Sequence, residues 1–354
     1  MPTFIKGDKH KCFILGEDTE TFGPGQKMEF LPPHEFLAEL RLDFVMSPAA
    51  EEASFKKLKE YDATQNKNSF CGNPLVYWYY WQGLLATRYK NGPTLMETYA
   101  SDPEKYWTRV CKMDRRKGKP PSVRDAYELN KAITFFKPTT AKYLNNRFCE
   151  GGGKVVFDPC AGWGGRLLGT ISAGNQYIGC DTNPYVAQQG RLLLENLSGQ
   201  NAFWNLPRYA PDHDWSGDTL AFRSHIETCS CLETQQPDNS ADFAFTSPPY
   251  ANLEVYEGMT PFVNDDAYYN DFLIPMINKC LDIVKPGCCV AINIGPKYYA
   301  DLTTKYGYPE CVGKIDFLQQ MGQQSGKKVD YVYLWTKDPP EHWNSADFLP
   351  ADED

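Results

Sequence analysis

Three apolar runs, each ending at a polar or acidic residue, constrain this chain more than any other feature. KVVFD (154–158) leads into the glycine-rich PCAGWGG and a helical RLLGTISAG. YIGCD (177–181) leads into NPYVAQQGRLLLENL, whose apolar residues recur at three and four. ADFAFTS (241–247) is the third such run. Further on, CLDIVKPGCCVAINIG (280–295) reads as a helix end, a turn and a buried strand, and DYVYLWTK (330–337) alternates like a late strand. This order predicts an α/β domain, a doubly wound, mostly parallel Rossmann-like sheet. Ligands of such sheets sit at the carboxyl ends of the strands.

The sheet pattern occupies 135–340, and ADFLPADED closes a loose acidic tail over 341–354. Residues 1–134 lack the alternation and predict a mainly helical N-terminal region, with helices around HEFLAELRLDFV (34–45) and AEEASFKKLKEY (50–61). VYWYYWQGLLATRY (76–89) holds five consecutive aromatics. A helix-packing surface is the first reading of that run, and a platform on which bases stack is the second.

The run ends carry the candidate chemistry. Gly162, Gly164 and Gly165 allow a tight turn and a close backbone approach to a ligand, and the helix start that follows offers free amides. Asp181 comes 23 residues after Asp158, at the next strand end, where an acid can take both ribose hydroxyls. The loop is a poor dinucleotide match, because GWGG lacks the third spaced glycine, and no GK[ST] occurs. TSPPY (246–250) ends the third run. Three other Pro-Pro pairs, LPPH (31–34), KPPS (119–122) and DPPE (338–341), show that two prolines alone are only a stiff turn. TSPPY differs in its hydroxyl before, its ring after and its place downstream of the glycine loop and Asp181.

DPCAGWGG, YIGCD and TSPPY, in that order and preceded by FKPTTAKYL (136–144), resemble the S-adenosylmethionine-dependent amino-methyltransferases of nucleic-acid bases. The resemblance covers about residues 135–337 and implies S-adenosylmethionine as cofactor. It assigns Asp158, Pro159, Ala161, Gly162, Gly164, Asp181 and Thr182 to the cofactor, with Lys137, Pro138 and Thr139 adding contacts near its methionine end. It makes Ser247, Pro248, Pro249 and Tyr250 the catalytic base site. Ser247 and the Pro248 carbonyl would accept the two N–H bonds of an exocyclic amine, and Tyr250 would stack a base that is extruded or already single-stranded. Serine in the first motif position points to cytosine-N4 in DNA. Adenine-N6 methylation of DNA or RNA is the runner-up, followed by a non-catalytic nucleic-acid-binding scaffold. Relatives often carry an acid near the cofactor's adenine at the third strand end. HIETCSCLET (225–234) offers Ser230, Cys231 or Glu227 there.

The expected partner is nucleic acid, DNA ahead of RNA. A net charge of −9 argues against indiscriminate binding over the whole surface. Eight Lys or Arg residues nevertheless crowd Lys105 to Arg124. Lys112, Arg115, Arg116, Lys117 and Lys119 form either a solvated loop or a phosphate-contacting edge, the second reading gaining weight beside a site that acts on nucleic acid. Twelve scattered cysteines with no C-x-x-C suit neither a zinc site nor a disulfide framework, so no metal is expected. No apolar run approaches the ~18–20 residues that span a bilayer, and charges interrupt the N-terminus, so the chain is expected to be soluble and intracellular, without a membrane partner.

Overall fold

The computed structural model describes residues 3–4, 13–14, 46–89, 92–102, 135–198, 224–251, 254–255, 259–318 and 329–338. The chain divides into two compact units. One comprises Met1–Ser47, Trp81–Thr134 and Glu254–Glu257, the other Pro48–Tyr80, Phe135–Leu253 and Gly258–Asp354. Residues 48–80, which composition groups with the N-terminal region, thus pack with the sheet.

The sheet has seven strands: β1 (Val155–Asp158), β2 (Gln176–Asp181), β3 (His225–Thr228), β4 (Ala241–Thr246), β5 (Val284–Ile294), β6 (Gly313–Leu318) and β7 (Val329–Thr336). Their spatial order is β6-β7-β5-β4-β1-β2-β3. The ladders joining β5, β4, β1, β2 and β3 are parallel. β7 runs antiparallel to both β5 and β6. α-Helices lie between β1 and β2 and between β4 and β5, and another follows β2, giving a mixed, mostly parallel α/β sheet flanked by helices, a Rossmann-like fold.

Among the described residues the helices are α1 (Pro48–Glu60), α2 (Asn73–Ala86), α3 (Leu95–Ser101), α4 (Pro138–Phe148), α5 (Gly165–Ser172), α6 (Pro184–Ser198), α7 and α8 (Pro296–Thr304). In α7, Asp265–Ala267, Tyr268–Leu273 and Ile274–Ile283 run on as one helix whose middle stretch is π-helical. The sequence showed the end of this helix, in CLDIV, and not its start. In the other unit, Thr94 opens α3 through a capping box with Glu97, which satisfies two otherwise orphaned amides. Arg88–Tyr89 pairs antiparallel with Glu254–Val255 in that unit.

Both sheet faces are buried, which is why the strands read as continuous apolar runs. Phe243 and Phe245 of β4 face α4, where Phe148 stacks on Phe243 at 5.0 Å and Phe136 meets Phe245 edge-on at 4.9 Å. Ala244, Ile292 and Ile294 share the opposite core with Met276, Ile277 and Cys280 of α7. The KPG expected to form a turn is absorbed into β5. Val284 already pairs with Ala241, and the register then jumps to Phe243 with Cys289, so Lys285 to Cys288 bulge out of the ladder.

The aromatic run lies in α2. Tyr79, Tyr80 and Trp81 are buried, and Tyr77 and Trp78 partly so. Tyr79 donates to Glu51 of α1 and accepts from Asn196 of α6 at 2.7 Å, and Tyr185 donates to the Tyr79 carbonyl at 3.2 Å. The run is a packing surface, as its first reading had it. None of the described helices is long and apolar enough to cross a membrane.

Candidate functional site

The parallel strands β1, β2, β4 and β5 end along one edge, and their last residues are tied to one another. Asp158 closes β1 and is fully buried. Its carboxylate accepts from Arg166 Nε at 2.8 Å, Tyr177 Oη at 2.7 Å, Thr246 Oγ1 at 2.7 Å and the Cys160 amide at 3.3 Å. Four donors use both oxygens. Asp158 is thus the knot that joins β1, the start of α5, β2 and the end of β4. Burial and the neighbouring carboxylate push the Tyr177 phenol well above its usual range, so it stays a donor.

The glycine loop hangs from this knot. The Ala161 amide donates to the Cys180 carbonyl at 2.8 Å, and the Gly162 amide to Asp181 Oδ2 at 2.9 Å. Pro159 and Ala161 are buried, whereas Thr182 is exposed. Two of the glycines answer to packing. A Cβ on Gly164, whose φ is 72°, would lie 2.4 Å from the Tyr80 ring, and one on Gly165 would lie 1.7 Å from the Phe136 carbonyl oxygen. Gly162 alone of the three meets nothing nearer than 3.5 Å. Sequence reasoning credited all three to ligand approach. The partners that explain Gly164 and Gly165 are remote in the chain, so no local signal revealed them.

Asp181 closes β2 and keeps partial exposure. Its second oxygen accepts from the Asn183 amide at 2.9 Å, and Asn183 in turn accepts from the Tyr185 amide at 2.9 Å, capping α6. Burial raises the Asp181 carboxyl above its ordinary 3.8, against the pull of the two amides. This is a carboxylate held in place by backbone donors, with one side toward solvent at the mouth of the loop.

Glu227, one of the acids weighed for the third strand end, is buried in a closed network. Its carboxylate lies 3.6 Å from His225 Nε2 and accepts from Thr234 Oγ1 at 3.1 Å and Gln236 Nε2 at 3.3 Å. His225 foremost brings it down to about 2. Cys180, Glu227 and Cys229 have potential ligand atoms within 4.8 Å of one another. The carboxylate already has its donors, and burial drives the Cys180 thiol far up, so the group is bound together by hydrogen bonds. Ser230 and Cys231 lie in the segment that follows, Ser230 partly exposed and Cys231 buried.

The FKPTT segment supports the site from behind. Pro138 starts α4, and Thr139 Oγ1 donates to the Lys67 and Ser69 carbonyls at 3.0 and 2.9 Å. Lys137 Nζ donates to the Asn68 carbonyl and stands 4.4 Å from the centre of the Phe70 ring; burial brings it down to about 8. These side chains pin the 67–70 segment. What the stretch gives the glycine loop is the Phe136 backbone beneath Gly165.

Thr246, bonded to Asp158, hands the chain to Ser247 and the two prolines. Ser247 Oγ donates to Asn293 Oδ1 of β5 at 3.2 Å. The Pro249 carbonyl accepts from Tyr268 Oη at 3.1 Å and from the Ala251 amide at 3.2 Å. No hydrogen bond to the Pro248 carbonyl is found among the described residues. Tyr250 is half-buried, its ring 5.5 Å from that of Tyr298 on α8 and tilted 38° to it. Tyr268, fully buried, braces Tyr298 from below at 5.6 Å. Lys112, Arg115, Arg116, Lys117 and Lys119 lie outside the described residues.

No protein-family model matches the chain, and no curated protein matches it significantly. Among solved structures, a geranyl diphosphate methyltransferase in complex with GPP and sinefungin is 13% identical, covers 50% of this chain and 50% of its own, and has a TM-score of 0.31. TrmN from Thermus thermophilus is 14% identical over 56% of this chain and 48% of its own, with a TM-score of 0.35. An rRNA methylase from Streptococcus thermophilus is 11% identical over 58% and 99%, with a TM-score of 0.34. The chain spans about half the length of the first two. Likeness at this level says nothing of what the chain acts on.

Proposed function

We propose that this chain transfers a methyl group from S-adenosylmethionine to the exocyclic amine of a nucleic-acid base, cytosine-N4 in DNA first and adenine-N6 in DNA or RNA second. The observation that carries the reading is the 2.7 Å bond from Thr246 to Asp158, which fixes Ser-Pro-Pro-Tyr to the glycine loop. A cofactor cradle and a rigid acceptor frame are thereby one unit.

The residues fit the cofactor. Gly162 is partly exposed, with no neighbour a Cβ would strike, and Asp181 offers an oriented carboxylate for the two ribose hydroxyls. Asp158, Lys137 and Thr139 support that cradle from within, their polar atoms being engaged by protein partners. When bound, S-adenosylmethionine supplies an electrophilic methyl on a sulfonium. The chain's own part is to make a poor nucleophile better. An exocyclic amine delocalises its lone pair into the ring. Ser247 Oγ and the Pro248 carbonyl accept its two N–H bonds, turn the lone pair out of conjugation and stabilise positive charge developing on nitrogen. Proline stiffness keeps both acceptors in place without reorganisation. Tyr250, braced by Tyr298, gives the base a face to stack on. The basic stretch over 112–119 takes the phosphates in this reading.

Calorimetric titration tests the cofactor half. S-adenosylmethionine binds the wild type, and Asp181→Ala weakens it by roughly 10- to 100-fold, the worth of hydrogen bonds to a charged acceptor. Because the Asp181 carboxyl is raised, wild-type affinity drops as the pH is lowered, starting above the ordinary 3.8, and that dependence vanishes in Asp181→Ala. Binding of NAD in place of S-adenosylmethionine would overturn the reading.

A further inference from the structure

Asn293 is a polar side chain in the apolar VAINI run of β5, and it is 7% exposed. Burying an amide in such a place is costly unless all its bonds are made. Its orientation is fixed by chemistry. Asn293 Nδ2 lies 3.0 Å from the Tyr331 carbonyl on β7, and a carbonyl only accepts, so the amide nitrogen must face it. The amide oxygen therefore faces Ser247 Oγ, 3.2 Å away, and an amide oxygen also only accepts. Ser247 must donate its one proton to Asn293. The register explains why they meet: Thr246 pairs with Ile292 across the parallel ladder, so Ser247 and Asn293 are the next residues on each strand.

We infer that Asn293 is the positioning residue that makes Ser247 a pure acceptor. With its proton committed, Ser247 Oγ offers only lone pairs to the base. An amine N–H is taken at that point and a ring carbonyl is refused, because two acceptors would face each other. The site thus selects the amino bases against keto groups such as O4 of thymine or uracil. This rests on the proposed amino-methyl transfer for its consequence; the hydrogen-bond relay itself does not.

Two sets of measurements separate the layers. Urea unfolding of wild type, Ser247→Ala, Asn293→Leu and the double variant tests the relay without any substrate. Coupling of about 2- to 10-fold in the unfolding constant is expected from one bond, and strict additivity would overturn the inference. Label transfer from saturating S-adenosylmethionine to denatured DNA or to RNA tests the consequence. Asn293→Leu lowers kcat about tenfold, leaves cofactor affinity within twofold and costs nothing further in the Ser247→Ala background. A multiplicative loss in that background would contradict it. Asn293→Asp keeps the shape and, in either protonation state, an oxygen that accepts from Ser247, so it keeps more of kcat than Asn293→Leu does. An equal loss in the two variants would count against the relay. Coupling without label transfer by the wild type would sink the proposed function and leave the relay standing.

Discussion

Asp158→Ala is expected to cost about 3–5 kcal/mol of stability, the penalty for leaving a buried charge without its partner. Arg166, only 5% exposed, would keep its guanidinium with no carboxylate 2.8 Å away, and the hydroxyls of Tyr177 and Thr246 would lose their acceptor together. Because ordinary domains have only about 5–15 kcal/mol in hand, a loss of this size populates unfolded chain at moderate temperature. Asp158→Asn keeps the shape and some acceptor capacity, so it should fall between. Urea midpoints for the three proteins check the order. If Asp158→Ala unfolds at the wild-type midpoint, the knot described at the strand ends is not what holds the loop.

Tyr250→Ala should lower methyl transfer roughly 10- to 100-fold, the range that loss of about 1–3 kcal/mol of base stacking implies. Cofactor affinity should remain within about twofold, since in this reading Tyr250, packed on Tyr298, meets the base while Gly162 and Asp181 meet the cofactor. Tyr250→Phe retains the ring and should retain most of the rate. The separation matters more than either number. Single-turnover transfer and calorimetric cofactor binding, measured on the same preparations, show it directly. A Tyr250→Ala protein with the full rate would remove the stacking role, and one that loses cofactor would move Tyr250 into the other half of the site.

The sheet was legible because its strands are short apolar runs with polar ends, and each predicted run of this kind became a strand within a residue or two. β6 was not seen: GKIDFL alternates charge with apolar residues, as suits a sheet edge, and gives no buried-strand signal. The start of α7, ahead of the helix end read in CLDIV, was hidden for a different reason. The stretch YYNDFL is π-helical, so its spacing departs from 3.6 residues per turn. At the site, Asp181 and TSPPY stood out through residue type and place. Asn293 left a trace too, one amide in an apolar strand, but its meaning depends on Ser247 and Tyr331, each on a different strand. Lys137 and Thr139 came from a likeness of motifs, and their carbonyl partners at 67–69 lie far away in sequence. Local patterns give elements and strand ends; which polar atoms remain open to a ligand is decided by contacts between distant segments.

The central claim is methylation of an exocyclic amine, and nucleoside mass spectrometry tests it most directly. DNA and RNA are incubated separately with the protein and methyl-labelled S-adenosylmethionine, then digested to nucleosides. The account predicts label on N4-methyldeoxycytidine first, with N6-methyladenosine species as the alternative, and none on ring carbons or ribose oxygens. Label at carbon 5 or a 2′-hydroxyl, or none in either nucleic acid, would contradict it.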